Sequence, residues 1–270
     1  MKMKRSIDLN CDLGEGFGIY TLAPDQELIP HLSSANVACG FHAGDPTTMR
    51  RTVALARRHG VAVGAHVGYR DLEGFGRRHL EVPPDVLIDQ TCYQIGALEG
   101  LCRAEGMRLQ HVKPHGALYH RAMRDTAVAE SLAEAVRLYD PGLLVFARAG
   151  SALDLAARGK GLRVVGEVFV DRGYRPDGTL LPRGEEGALV TDPREVARRA
   201  VKVVLEGKIT ACNGQDILVD GQTLCVHGDT ARSLELLRAI RSEFEACGIA
   251  VKPPVPGPQA GVNIPRHVSR

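Results

Sequence analysis

Residues 6–12 read SIDLNCD, and the two faces of this stretch decide the fold. Side chains of an extended strand alternate between its faces. Ile7, Leu9 and Cys11, continued by Leu13, share one side; Asp8, Asn10 and Asp12 share the other. The apolar side suits packing against helices. A strand covered by helices on both faces reads as an almost unbroken apolar run, and this one does not. Its polar side belongs in the lumen of a closed barrel.

The rest of the chain repeats the theme. Short apolar runs recur as SSANVACG (33–40), VAVGAHVG (61–68), RLQHVKPH (108–115), LLVFARAG (143–150), RVVGEVFVD (163–171) and TLCVHGD (223–229). Long amphipathic segments separate most of them. The clearest starts at Asp45, which can N-cap, with Pro46 at the first helical position and Gly60 as the stop. Asp192, Pro193 and Gly207 repeat this grammar. Further helices are expected over 84–105, 125–139, 151–159 and 230–247. Repeating βα units imply a parallel sheet with helices packed on it. An open doubly wound sheet and a closed barrel both satisfy that pattern, and both place sites at the carboxyl ends of the strands. No GxGxxG follows the first strand and no GxxxxGK[ST] occurs, so neither common nucleotide-binding loop supports the open sheet. The expected fold is α/β: a distorted, seven-stranded (β/α) barrel over residues 1–252, followed by a flexible Pro- and Gly-rich tail over 253–270.

Composition narrows the function classes. The chain has 270 residues, 44% hydrophobic and 24% charged, with a formal net charge of +2, as in an ordinary globular protein. No basic stripe interleaved with aromatics argues for nucleic acid. No apolar run approaches the roughly 18 residues of a membrane span, and MKMKRSIDLN has no apolar core of a secretory signal. Seven cysteines without a CxxC pair point to a reduced, cytoplasmic chain rather than a disulfide framework.

In six of the seven strands, ionisable groups gather toward the carboxyl end. Burying an unpaired charge costs several kcal/mol at least. A lumen of Asp, Glu, Lys and His is therefore not there for stability alone; the groups pair, bind an ion or face a watery pocket. Carboxylates beside His and Lys are also the setting in which pKa values are pushed apart for acid–base work. A metal, if one is used, finds a carboxylate–imidazole set in Asp12, His42 and His66, although no HxxH or HExxH spacing marks it. Single residues have plainer readings as well. Glu15 can be a solvated loop residue, and Asp45 and Asp229 can be helix caps. Arg77 and Arg78 fit a solvated charge run or a mobile loop over the site. RPDGTLLPRG (175–184), with its Asp-Gly turn, reads as a hairpin-like excursion at the rim.

Seven segments together resemble the LamB/YcsF family: DLNCDLGEGFG (8–18), SANVACGFHAGDP (34–46), GAHVGYRDLEGFGRR (64–78), YQIGALEG (93–100), HVKPHGALYH (111–120), EVFVDRGY (167–174) and CVHGD (225–229). The resemblance runs from about residue 6 to 252. It departs from the family pattern at Val67, Val170, Ala231 and Arg232, none of which removes an ionisable group. It implies a barrel like that of the glycoside hydrolases and polysaccharide deacetylases. It also implies ATP-dependent opening of the cyclic amide 5-oxo-L-proline to L-glutamate, carried out with 5-oxoprolinase subunits B and C. On that reading Asp12, Glu15, His42, His66, Lys113 and His115 are the catalytic candidates. Asp8, Asn10, Asn36, Tyr119, Glu167, Asp171, Arg172, His227 and Asp229 are the substrate-binding candidates. ATP is the expected cofactor; with no P-loop present, either its site is non-standard or the partner subunits supply it. Two other readings stand beside it: a metal-dependent amidase or deacetylase acting alone, and a non-catalytic lactam-binding subunit.

Overall fold

The last strand of the sheet settles the architecture. The computed structural model describes residues 6–230 and 232–255. Its strands β1 (Ser6–Leu13), β2 (Ser34–Ala38), β3 (Ala62–Val67), β4 (Leu109–Pro114), β5 (Leu144–Ala147) and β6 (Arg163–Phe169) pair in sequence order, all parallel. Two short strands, β7 (Lys208–Thr210) and β8 (Asp216–Leu218), form an antiparallel hairpin outside this sheet. Then β9 (Thr223–Val226) inserts between β6 and β1, pairing in parallel with both. That closes a seven-stranded barrel and excludes the open sheet. A two-residue strand, β10 (Ala250–Val251), pairs with Ser6 and Ile7 at the start of β1. The hairpin and β10 are too short to show alternation, so no sequence pattern marks them.

The helices follow their local signals. They are α1 (Asp25–Leu28), α2 (Pro46–His59), α3 (Pro84–Ala104), α4 (Gly116–Ala122), α5 (Thr126–Tyr139), α6 (Ala152–Gly159), α7 (Pro193–Glu206) and α8 (Ser233–Ala246). Asp45 accepts hydrogen bonds from the Thr47 and Thr48 amides, and Gly60 ends α2 in the left-handed conformation. Asp192, which accepts from the Arg194 amide, and Gly207 delimit α7 in the same way. Asp229 does not cap α8, whose N-cap is Arg232; its carboxylate pairs with Arg77 instead. No helix among the described residues is long and apolar enough to cross a membrane. The expected tail lies, from residue 256 onward, outside the described residues.

Strand alternation sorts the side chains as expected. Ile7, Leu9, Cys11 and Leu13 are buried in the main apolar core, which also holds the inward faces of the helices. Burial of each large apolar side chain contributes about 1.5–3 kcal/mol. Leu144, Phe146 and Val165 form a separate apolar cluster on the β5–β6 side, and His111 stacks on Phe146 with ring centroids 3.9 Å apart. On the opposite side the interior is polar. Asp8 sits at the closed end and accepts hydrogen bonds from the hydroxyls of Ser33, Ser34 and Thr223. One layer up, Asn36 donates to Asn10 Oδ1 at 2.7 Å and to Asp12 Oδ1 at 2.9 Å.

Burial raises the Asp8 pKa from 3.8 to about 6, more than its three hydroxyl donors lower it. The fold therefore prefers the neutral carboxyl. The stability this provides is complete below the unfolded value and is lost as pH rises through the folded one. The gap corresponds to about 3 kcal/mol. Urea unfolding of Asp8→Asn beside the unaltered protein should show the difference moving in favour of the variant by about that amount between pH 4 and 7. A difference that is flat with pH would show that Asp8 is not the titrating group.

Candidate active site

The carboxyl ends of β1, β3, β4 and β6 bring Asp12, His66, Lys113 and Glu167 to one floor. Lys113 Nζ lies 2.6 Å from Asp12 Oδ1 and 3.3 Å from Glu167 Oε1, and all three side chains are buried. Burial opposes the ammonium charge, but Asp12, Cys225 and Glu167 outweigh it and hold the Lys113 pKa well above its ordinary value. Burial would likewise raise the Asp12 carboxyl; His66 and Lys113 overcome this and hold it well below the usual range. Glu15, three residues on, goes the other way, pushed up by burial and then by the charges of Asp12 and Asp229. Two carboxyls are thus driven apart, one kept ionised and one favouring its proton.

Beside this ion pair stand three imidazoles. His42 and His115 stack with planes 5° apart, and His66 meets His115 edge-on at 90°. Burial, reinforced by the neighbouring rings, holds His42 and His115 well below the usual histidine pKa, so both favour the neutral form. Glycines make the room. A Cβ on Gly68 would meet His42 Nδ1 at 2.6 Å, and one on Gly76 would meet His42 Cβ at 2.6 Å. Gly76 and the preceding Phe75 both have positive φ, 63° and 54°. For Phe75 this is a sparsely populated conformation, and it aims the Phe75 carbonyl at His115 Nε2, 2.8 Å away.

This floor opens into a cavity of about 730 Å³, within the range of ligand sites. Of the catalytic candidates, Asp12, His66, Lys113 and His115 line it; Glu15 and His42 are buried beside them, within 4.8 Å of His66 and His115 at their ligating atoms. The metal-type grouping is therefore Glu15, His42, His66 and His115, rather than the expected Asp12, His42 and His66. Of the substrate-binding candidates, Tyr119, Glu167, Arg172 and His227 line the cavity. The Tyr119 hydroxyl and Glu167 Oε2 are buried with no short hydrogen-bond partner among the described residues; the two groups are neighbours, and after burial the Glu167 charge helps push the Tyr119 pKa up.

Five expected contacts fall elsewhere. Asp8, Asn10 and Asn36 do not line the cavity; they form the hydrogen-bonded layers beneath it. Asp171 accepts from the His227 amide and Nδ1, each 2.9 Å from Oδ2, and so leaves His227 Nε2 as the free ring nitrogen. Asp229 engages Arg77. Arg172 reaches the cavity wall, but its Nε and Nη2 donate to the carbonyls of Ala188 and Leu181 at 3.0 and 2.6 Å. It fastens the rim excursion, where Tyr174 bridges Leu180 around an Arg175–Gly178 turn.

Sequence reasoning missed a ring of arginines at the mouth. Arg124, Arg148, Arg175 and Arg183 line the cavity with Arg77 and Arg172. Among the described residues, neither Arg124 nor Arg183 has a carboxylate within ion-pairing distance, whereas Arg175 pairs with Glu185. One signal was present: Arg148 follows the fifth strand directly, at its carboxyl end. Arg77 resolves the ambiguity of its motif. It lines the cavity, pairs with Asp229 and lies over the Phe75 ring, while Arg78 is held by Asp71.

The chain as a whole matches one family. The LamB/YcsF family model fits residues 7–258, and the chain belongs to that family. Among its relatives, the A subunit of the Symbiobacterium thermophilum 5-oxoprolinase is 54% identical over 250 residues, 93% of this chain and 96% of that one. The A subunit of the Bacillus subtilis 5-oxoprolinase is 48% identical over 245 residues, 91% and 95% of the two chains. A crystal structure of a lactam utilization protein from Thermus thermophilus superposes with a TM-score of 0.88 at 46% identity, covering 92% of this chain and 99% of that one. A putative cellobiose-phosphate cleavage protein from Enterococcus faecalis shares the fold at a TM-score of 0.53 and 12% identity, over 92% and 97% of the chains.

Proposed function

We propose that this chain acts as the A subunit of a 5-oxoprolinase, opening 5-oxo-L-proline to L-glutamate in the barrel cavity, with ATP and two partner subunits, B and C. The observation that carries this reading is a buried Lys113–Asp12–Glu167 array under an arginine-lined cavity, in a chain about half identical to proteins of that name. A five-membered lactam is an unactivated amide. Its hydrolysis needs a donor for the oxygen that becomes negative, a base for water and an acid for the departing nitrogen. Lys113, held protonated, suits the first task. Asp12, held ionised, suits accepting a hydrogen bond from the attacking water and positioning it. The neutral imidazole of His42, 3.3 Å from Glu15, suits proton relay.

The mouth supports an anionic ligand. 5-Oxoproline carries a carboxylate, and ATP-driven activation of its lactam oxygen would add a phosphate. Arg124 and Arg183, without carboxylate partners among the described residues, fit either group. The cavity is far larger than the lactam acid alone, which leaves room for a phosphorylated form. With no nucleotide-binding loop in this chain, ATP is bound by the partners. A reaction that consumes ATP belongs in the cytoplasm.

Glutamate formation from 5-oxo-L-proline tests this directly, using this chain alone, subunits B and C alone, and all three with and without ATP. Turnover is expected only in the complete, ATP-containing mixture. Active partners indifferent to this chain would overturn the reading. Amide hydrolysis by this chain alone without ATP would replace it with the lone amidase.

A further inference from the structure

Two histidines of the cavity floor present lone pairs to each other. A backbone carbonyl only accepts hydrogen bonds. His66 Nδ1 lies 3.1 Å from the Lys113 carbonyl, so in the neutral ring that nitrogen carries the hydrogen and Nε2 is bare. His115 Nε2 lies 2.8 Å from the Phe75 carbonyl, so there Nδ1 is bare. The two bare nitrogens are 2.9 Å apart. Rings in these tautomers cannot hydrogen-bond to each other, and buried lone pairs left facing are unfavourable. Glu15 Oε1 stands 3.5 Å from His115 Nδ1 and 3.9 Å from His66 Nε2. Asp12 Oδ2 stands 3.3 Å from His66 Nε2. Three electron-rich atoms of buried residues, His66 Nε2, His115 Nδ1 and Glu15 Oε1, converge on one point with Asp12 Oδ2 beside His66, and a cation satisfies them.

We propose that this point binds a divalent first-row transition ion, held by His66 Nε2, His115 Nδ1 and Glu15 Oε1, with Asp12 beside it. Donors about 2.1 Å from an ion are about 3.0 Å apart at right angles and about 3.4 Å apart in a tetrahedron. The three ligand separations, from 2.9 to 3.9 Å, lie around those values. The His66 and His115 rings are perpendicular, which lets both aim in-plane lone pairs at a common point. His42 cannot join them. It lies flat on His115 with centroids 3.8 Å apart, and an ion sits in the plane of each imidazole that binds it. Its Nε2, 3.3 Å from Glu15 Oε1, instead orients the ligating carboxylate from outside. Sets of two histidines and one carboxylate leave coordination positions open. Here they face the cavity, because Asp12, His66 and His115 line it. A proton shared between the rings is the competing occupant. It would satisfy the one nitrogen pair and leave Glu15 Oε1 to its 3.3 Å contact with His42 Nε2.

The test uses the chain without partner subunits, so its failure and that of the oxoprolinase reading are separable. After equilibration with Zn²⁺ or Co²⁺ and gel filtration, metal analysis should find one bound ion per chain, and cobalt should show visible absorption of a site with nitrogen ligands. His66→Ala and His115→Ala should each weaken binding by more than about 100-fold, beyond what loss of an outer partner does. His59→Ala, on the exposed end of α2, should change nothing. Nitrogen-15 spectra of the unaltered chain guard against variants that fail to fold: zinc should shift His66 Nε2 and His115 Nδ1 together. No stoichiometric binding of either ion, with spectra showing an imidazolium shared between the rings, would overturn the proposal.

Discussion

Lys113→Met is expected to destabilise the protein by about 3–5 kcal/mol and to lower coupled turnover by about 10²–10³-fold. The ammonium lies between Asp12 and Glu167 and is itself buried. Methionine matches its shape but removes its charge. Two carboxylates then share a water-poor site without a cation, and at least one must take a proton. Loss of one partner of a buried pair is far more damaging than loss of both, because the survivor keeps its desolvation penalty. Lys113→Met combined with Asp12→Asn should therefore recover a large part of the stability lost by Lys113→Met alone. It should recover none of the turnover, since both charges in the proposed chemistry are then gone. Urea denaturation and the glutamate assay on the two single variants and the double one give the coupling directly. Additive stability effects would mean that the two groups do not act as a pair. Wild-type turnover in Lys113→Met would remove Lys113 from the mechanism.

Arg172→Met is expected to raise KM for the lactam by about tenfold or more, with a smaller change in kcat and in global stability. The guanidinium holds the carbonyls of Leu181 and Ala188; Ala188 keeps the Gly173 amide as a donor, while the Leu181 carbonyl left without one costs about 1–3 kcal/mol. The excursion carrying Arg175 and Arg183 belongs to the rim rather than to the barrel, so the damage should be local. Limited proteolysis should find new cleavage between residues 175 and 190. Arg172→Lys separates this from the alternative in which Arg172 holds the substrate carboxylate. A lysine keeps the charge but cannot reproduce two directed bonds. Substrate affinity restored by Arg172→Lys would favour the direct contact; a rim still open to protease would favour the clamp. Arg199 backs this clamp from α7, donating to the carbonyls of Arg172 and Val170 at 2.6 and 3.1 Å.

Local patterns make much of the molecule legible. Alternation in residues 6–13 separates the core face from the lumen face before any partner strand is known. Asp45 with Gly60, and Asp192 with Gly207, mark helix ends because capping involves only neighbours in the chain. Asp12, His66 and Lys113 are legible because they stand on strands, where parity predicts direction. The errors have a common physical source. Parity tells which face a side chain takes but not its depth, so Asp8, Asn10 and Asn36 share the expected face and lie in a deeper layer. Loop residues have no parity at all, so the mouth arginines leave no pattern, and the charge of Arg172 suggests a substrate contact although its guanidinium holds backbone.

By itself the sequence determined the strands, the main helices, the polar lumen and the ionisable groups at its upper end, since each depends on residues a few positions apart. Tertiary structure alone decided which of those groups meet. Asp12 and Lys113 are 101 positions apart, and His66 and His115 are 49 apart; only barrel closure brings such groups within bonding distance. The ring tautomers at the centre of the site depend on the carbonyls of Lys113 and Phe75, which the register of β3 against β4 and the turn at Phe75–Gly76 put in place. A proton or an ion responds to distances of a few ångströms in three dimensions, and a linear pattern does not carry them.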